Sequence, residues 1–417
     1  VIEYRLDNAA KIFPGMLSRR RTTMFRLSAE IDAPVKVHLL EEAYSRMLER
    51  CPYYRVELRK GLFWYYFEHN PSTPRVEAES RYPCLYQPYK KPGVFPHRVL
   101  AYRNRIAFEV AHCLTDGTGA LNFLNGLVAE YLRLRGETIA TGNLPIDPRE
   151  EAKPGEFADG FREAYRPGVP PAKPLTKALR FGGRPVKIPQ FYMIEGRVVG
   201  AELKAKAGEF GVTIGEFLTA LLIHVCDQEM KKKGMRKRPI RISIPMNLRR
   251  FYGSITMRNF VLSVEPGIDP RLGDFSFEDI IAKVHHFMRS ELDHRFILRQ
   301  IARNIQGELN PLVKIVPLGV KDFILRRMYA LYGTSIFTLG FSNLGRVSIP
   351  DDLGSFIRSY QFIPPPHDNA LNATSIAYHG TTSLTFASTI EDTGIERSFF
   401  RALRRMGLHV AIKTNRR

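Results

Sequence analysis

Cysteine is scarce in these 417 residues: Cys51, Cys84, Cys113 and Cys226 are the only four. None forms a C-x-x-C pair or joins histidines at ligand spacing, which argues against a disulfide framework, a thioredoxin-type redox pair and a zinc module. No metal site is expected. Scattered thiols suit a reducing compartment. No run reaches the ~20 apolar residues of a membrane-spanning helix, and the opening stretch VIEYRLDNAAKIFPG has no apolar signal core. A cytoplasmic chain without a transmembrane segment is the expectation. Tryptophan occurs once, as Trp64.

Acidic residues are also in deficit, with 42 Asp and Glu against 62 Lys and Arg, a formal charge of +20. Such a surplus attracts nucleic acid, anionic membranes, acidic proteins or phosphorylated small molecules, and does not choose among them. The basic runs SRRRTT (Ser18–Thr23), KKKGMRKR (Lys231–Arg238) and KTNRR (Lys413–Arg417) stand beside no recognition helix, zinc finger or aromatic ribonucleoprotein signature. No nucleic-acid partner is expected.

What is present is an ordinary globular composition, 44% hydrophobic and 25% charged, at a length that suits two domains. Apolar residues at helical spacing predict helices over Val35–Cys51, from Gly117 past Leu132, near Glu202–Phe210, over Val212–Gly234, Asp279–Gln300, Lys314–Tyr332 and Gly394–Gly407. Thr213 and Glu216 have the spacing of a capping box. Strands are predicted in Tyr54–His69, in His97–His112 as a hairpin turning at Arg103-Asn104, and in Phe191–Val199, Pro239–Arg249, Arg258–Pro266, Ser335–Pro350, Ala370–Gly380 and Thr382–Ile390. Between Ile139 and Pro189 the periodicity gives way to Pro, Gly and charge, which marks a crossover between two halves. Regular βαβ alternation is absent, so helices packed on mixed sheets, rather than a doubly wound sheet, are expected.

One stretch carries a chemical pattern. In EVAHCLTDGTGALNFL (Glu109–Leu124) His112 precedes Asp116 and Gly117 at a strand-to-helix junction. His112 shares the parity of Ile106, Phe108 and Val110, so its imidazole leaves the sheet on the apolar face. An imidazole removes protons near neutral pH, provided it is held still. Asp116 fits equally well as a helix N-cap, and Gly117, Thr118 and Gly119 suit a sharp turn. On spacing alone the pattern is weak, since a chain of this length contains it by chance on the order of 4% of the time. Cys113 points to the opposite face, which argues against a Cys–His dyad. His224 reads as a core histidine, and His285-His286 lack carboxylates at metal spacing.

LLEEAYSRMLERCPYYRVEL, HCLTDG, VTIGEFLTALLIHV, IPMNLRRFYG with RNFV, and FSNLGRV follow one another along the chain, and in these segments and their order the chain resembles the acyl-CoA-dependent acyltransferases with a His-x-x-x-Asp-Gly motif. Their fold is shared by chloramphenicol acetyltransferase, the vinorine synthase-type plant enzymes and the condensation domains of nonribosomal peptide synthetases. The resemblance covers nearly the whole chain and is nearest to the bacterial alcohol acetyltransferase-like members. It implies an α/β chain of two chloramphenicol acetyltransferase-like domains, each an α+β two-layer sandwich, meeting along a tunnel. The halves would be residues 1–165 and 191–417, joined by a crossover at 166–190. It implies His112 as general base for direct acyl transfer from a CoA thioester with a short acyl group, such as acetyl-CoA, to a hydroxylated small molecule. No tightly bound cofactor is implied. It further implies that Asp116 pairs with Arg249 of MNLR (Arg250 as the fallback), that Gly117 gives space, and that Asn247, Ser342 and Asn343 meet substrate. A monomer is expected, because two domains already build one tunnel.

The departures are specific. Ala111 stands where condensation domains carry a second histidine, the plant Asp-Phe-Gly-Trp-Gly motif is missing, and Arg258 occupies a position often held by Gly. Two other readings fit the same residues. One is a condensation-type acyltransferase whose donor is an acyl carrier protein. The other is a catalytically inactive relative that binds an anionic surface.

Overall fold

A computed structural model of the chain describes residues 3–142, 144–328, 334–366 and 369–416. Three sheets organise it. The first has five strands in the order Ile357–Ile363, Met24–Ile31, Arg105–Ala111, His97–Tyr102 and Val76–Ala78, antiparallel except for the last pair. The second runs Val261–Val264, Ile240–Asn247, Leu339–Arg346, Leu371–Tyr378, Thr381–Ser388, Tyr192–Val199 and Val410–Thr414, with Gly267–Ile268 beside Ile240. The third is small, with Glu3–Arg5 against the hairpin Val56–Lys60 and Tyr65–His69.

Each large sheet buries one face under helices, because alternate strand residues are apolar and the helices carry a matching stripe. Helices Val37–Arg50 and Gly117–Arg135 cover the five-stranded sheet, where Leu40, Met47, Phe123 and Leu127 meet Leu27, Ile106 and Phe108. The Phe108 and Phe123 rings stack at 4.5 Å. On the eight-stranded sheet lie Ile214–Lys232, Phe277–His286 and Gly394–Arg405. The expected capping box is formed: Thr213 Oγ1 accepts from Glu216 N, and Glu216 accepts from Thr213 N. A third apolar cluster of Phe161, Leu248, Phe260 and Ile301 ties the crossover region to the second half. The two-layer α+β expectation describes this architecture, and all four cysteines are buried free thiols.

Several local expectations need correction. The single helix read over Asp279–Gln300 is two, Phe277–His286 and His294–Leu309, separated by a π-helical turn at Phe287–Glu291. Asp293 starts the second by accepting from Phe296 N at 2.7 Å. The helix read over Lys314–Tyr332 is Pro311–Ile315 and Leu318–Met328. Pro317 divides them, since it lacks the N–H a continuous helix needs; residues 329–332 lie outside the described residues. Strands Met24–Ile31 and Ile357–Ile363, for which the sequence reading holds no expectation, pair with each other over Ile31–Arg26. A strand from residues 357–363 thereby joins the sheet built by strands of residues 24–111.

Gly196 shows how tightly the second layer is fitted. A Cβ there would stand 2.1 Å from Phe400 Cε1, whereas a Cβ on Gly208, exposed on helix Gly200–Glu209, would meet nothing within 4 Å. Gly196→Ala is expected to destabilise the chain by about 1–3 kcal/mol through overpacking. Gly208→Ala is expected to stabilise it by roughly 0.5–1 kcal/mol. Urea unfolding midpoints moving in opposite directions would check the pair.

Candidate active site

The strand Arg105–Ala111 extends one further ladder bond, with His112 N donating to Thr23 O at 2.9 Å. This keeps the strand's alternation, so the His112 ring emerges on the helix-covered face, as its parity requires. Thr23 holds this edge with φ +55°, a left-handed conformation that a β-branched residue rarely adopts. Its hydroxyl is bound to Tyr89 Oη at 2.6 Å. The His112 ring lies between two aromatic faces. Phe13 stacks on it at 4.9 Å and 14°, and Phe25 is tilted at 4.7 Å. Burial against them pushes the imidazole below its ordinary value of 6.5, opposed by Asn259 and the Asp116 charge. The ring is therefore neutral at neutral pH.

Asn259 sets its tautomer. The Asn259 Nδ2 group donates to two acceptors, Asp7 Oδ2 at 3.2 Å and His112 O at 3.0 Å. That leaves Oδ1 facing His112 Nδ1 at 3.4 Å. An amide oxygen only accepts, so the proton belongs on Nδ1 and Nε2 keeps its lone pair. Asp7 anchors the chain of contacts. Its Oδ1 accepts from Ala10 N at 2.7 Å, and its Oδ2 also faces Asn259 N and the Arg258 guanidinium. Burial nonetheless raises the Asp7 carboxyl to about 6. Neither Asp7 nor Asn259 is among the site residues expected from sequence. The quoted segment RNFV contains Asn259, but only the fold brings it to the imidazole.

Asp116 is a brace. Its side chain caps helix Gly117–Arg135 by accepting from Thr118 N and Gly119 N, both at 3.1 Å. It also takes the Arg249 fork, at 2.9 Å to Oδ2 and 3.1 Å to Oδ1, and Phe260 N at 2.9 Å. Arg249 sends its remaining N–H groups to Thr256 O at 2.7 Å, Asn247 Oδ1 at 3.2 Å and Arg258 O at 2.5 Å. All five guanidinium donors are thus engaged. The pairing brings together Asp116 and Arg249, the partner expected ahead of Arg250. Arg258 crosses to the first half as well, donating from Nη2 to Arg5 O and lying 4.2 Å over the Phe157 ring.

The turn glycines act by closeness of approach. Neither Gly117 nor Gly119 has a left-handed φ, so the conformational freedom expected of them is not used. A Cβ on Gly117 would stand 3.0 Å from Leu344 Cδ2, a side chain that can shift, whereas one on Gly119 would stand 2.2 Å from Thr115 Oγ1 and 2.4 Å from Met257 O. Gly119 is the stricter position. Asn247 and Asn343, expected to meet substrate, are bonded within the protein. Asn247 donates to Thr118 Oγ1 at 3.2 Å and accepts from Arg249. Asn343 Oδ1 accepts from Gly345 N and Ser375 Oγ, both at 2.8 Å. Ser342 is half-buried on the same strand. Cys113 is fully buried, with its thiol pushed up to about 12, which leaves no thiolate for chemistry at neutral pH.

Among the described residues no group of three or more His, Cys, Asp and Glu side chains is placed to hold a metal ion, and no single helix is long and apolar enough to cross a membrane. A polar cavity of about 400 Å³ lies between the two large sheets, lined by Arg26, Glu79, Arg81, Glu195, Arg197 and Lys413 among others. It opens on the face of strand Met24–Ile31 opposite Phe25, and His112 is not among its lining residues.

Asp116→Asn turns an amide toward buried donors and leaves Arg249 with an uncompensated charge. It is expected to cost about 3–5 kcal/mol in urea unfolding. An unchanged unfolding midpoint would remove the bracing role.

No protein-family model matches the chain. No curated protein matches it either. Solved structures do. Polyketide synthase associated protein 5 from Mycobacterium tuberculosis is 14% identical at a TM-score of 0.58, over 95% of this chain and 96% of that one. The first condensation domain of the CDA synthetase is 14% identical at 0.61, over 97% and 94%. F. graminearum TRI101, solved with coenzyme A and T-2 mycotoxin, is 12% identical at 0.63, over 98% and 100%. At these identities the likeness is one of fold, and the chain has the condensation-domain-like fold that the acyl-CoA-dependent acyltransferases share.

Proposed function

We propose that this chain is an acyltransferase that moves an acyl group from a CoA thioester to a hydroxyl of a small molecule. The observation that carries the reading is the His112 ring, kept neutral by burial and held against Asn259 Oδ1 through Nδ1, which favours Nε2 as the nitrogen that takes a proton. His112 Nε2 accepts the proton of the acceptor hydroxyl as that oxygen forms a bond to the thioester carbonyl carbon. The C–S bond then breaks, and the departing thiolate recovers the proton from the imidazolium. No acyl-enzyme forms. The Asp116–Arg249 pair holds the turn that aims His112, and Asn259 is a positioning residue. A short donor such as acetyl-CoA, a hydroxylated acceptor, a monomer and a cytoplasmic setting complete the reading. The halves are proposed as residues 1–165 and 191–417, with 166–190 crossing between them and a substrate tunnel at their junction.

A second reading, transfer from an acyl carrier protein, is supported by the likeness to a condensation domain and by the +20 charge, which suits an acidic carrier. Thiol release from acetyl-CoA with a panel of alcohols, set against transfer from an acylated carrier, separates the two.

His112→Ala is expected to lower kcat by about 10²–10⁴ with folding intact; unchanged thiol release would sink the mechanism. Asn259→Ala is expected to lower kcat while leaving the KM for acyl-CoA in place, because Asn259 acts through its contact with the base. Since His112 must be neutral to accept a proton and burial lowers it from its ordinary value of 6.5, kcat/KM is expected to be full at neutral pH and lost on the acid side, at lower pH than for an ordinary imidazole. The limb should persist in Asp7→Asn, which removes a buried carboxyl raised to about 6.

A further inference from the structure

Helix Leu318–Met328 buries Leu318, turns two charged side chains inward and leaves a second apolar side in solvent. Its inward side carries Lys321, 3% exposed, whose Nζ donates to Phe63 O at 3.0 Å and Lys314 O at 3.1 Å and lies 3.8 Å over the Trp64 ring. Asp322 also turns inward and accepts from Tyr65 Oη at 2.8 Å. Its outward side carries Val320, Phe323 and Ile324, which are 50%, 66% and 47% exposed. With Arg327 these stand at i, i+3, i+4 and i+7, one continuous face. Ile315 is 67% exposed on the preceding short helix. The tip of the Val56–His69 hairpin adjoins it, with Leu62 72% exposed and its carbonyl accepting from Leu318 N at 2.9 Å. A folded chain gains nothing in water from turning this side outward, so such a patch marks an interaction surface.

The surroundings specify the partner. Lys314, Arg326 and Arg327 are exposed on the same segment. Arg326 Nε donates to Gly15 O at 2.5 Å, which seats the helix on Phe13–Met16. The loop that follows carries exposed Arg19 and Arg20. The only acid in these segments, Asp322, points inward. Aromatic and aliphatic side chains rimmed by cations match the interface of an anionic bilayer, whose acyl boundary takes the apolar groups while its headgroups meet the arginines. A second copy of the chain would bring the same cations against themselves.

We propose that helix Leu318–Met328 and the Leu62–Phe63 hairpin tip form a docking face for an anionic lipid surface. This reading is independent of the acyl-transfer chemistry. It does put the membrane one short helix from His112, because Phe13 of Phe13–Met16 stacks on that ring.

Trp64, the only tryptophan, sits beside this tip and reports on docking. The full chain is mixed with vesicles of phosphatidylglycerol and phosphatidylcholine, or of phosphatidylcholine alone. Flotation and a shift in Trp64 emission are expected with the first and not with the second. Phe323→Ser/Ile324→Ser, exposed positions checked for folding by circular dichroism, should lower partitioning at least about tenfold. Leu62→Ser, on a separate element, should lower it independently. No flotation with the anionic vesicles overturns the proposal. So does partitioning that both apolar variants leave unchanged, which would assign it to the net charge. Self-association of the native chain that the variants abolish would give the face to a second copy and overturn the lipid assignment.

Discussion

The carboxylate of Asp116 meets five donors from three separate stretches of chain: its own helix N-terminus, the Arg249 side chain and the backbone of Phe260. Removed from water, each of these bonds is electrostatically stronger, and each lost partner is correspondingly costly. That combination makes the arrangement all-or-none. The helix cap, the turn after His112 and the closure of the second half against the first depend on the same two oxygen atoms. Buried ion pairs are weak contributors to stability compared with apolar packing of the same volume, and their value lies in specifying one geometry. Here the geometry specified is where His112 stands.

Around that frame the imidazole is tuned by neighbours of opposite kinds. Phe13 and Phe25 strip water from the ring and favour its neutral form. Asn259 then decides which nitrogen carries the proton, and Asp7 decides which way Asn259 points. Asn247 completes the Arg249 donor set and so belongs to the brace. The polar residues near the motif thus divide into a group that holds the turn and a group that orients the base.

Other buried charges in the first half are balanced internally. Arg26 and Arg98 share Glu109, Arg50 meets Glu156, and Arg133 meets Asp147 and Glu130. Because cations and anions are buried together, the +20 surplus is carried outside. A positive surface raises the local concentration of anionic partners of any kind. Helix Leu318–Met328 adds what charge alone lacks, an apolar face at one place on that surface.

What the sequence determined was whatever depends on neighbours in the chain. Helical and alternating periodicities placed most elements, the Thr213–Glu216 box opened its helix, and strand parity turned His112 to the inward face. Met24–Ile31 has the same local alternation, Phe25, Leu27, Ala29 and Ile31 against Arg26, Ser28 and Glu30, although it is not among the strands predicted from sequence. Its pairing with Ile357–Ile363, across more than three hundred residues, leaves no local trace. Tertiary structure alone decided that Asn259 meets the imidazole, that Gly119 rather than Gly117 is the tight position, and that Asn247 and Asn343 are already bonded within the protein. It also decided which face of helix Leu318–Met328 turns outward. Periodicity reveals that a helix has two faces, but only the packing of Lys321 and Asp322 against Trp64 and Tyr65 fixes which of them meets solvent.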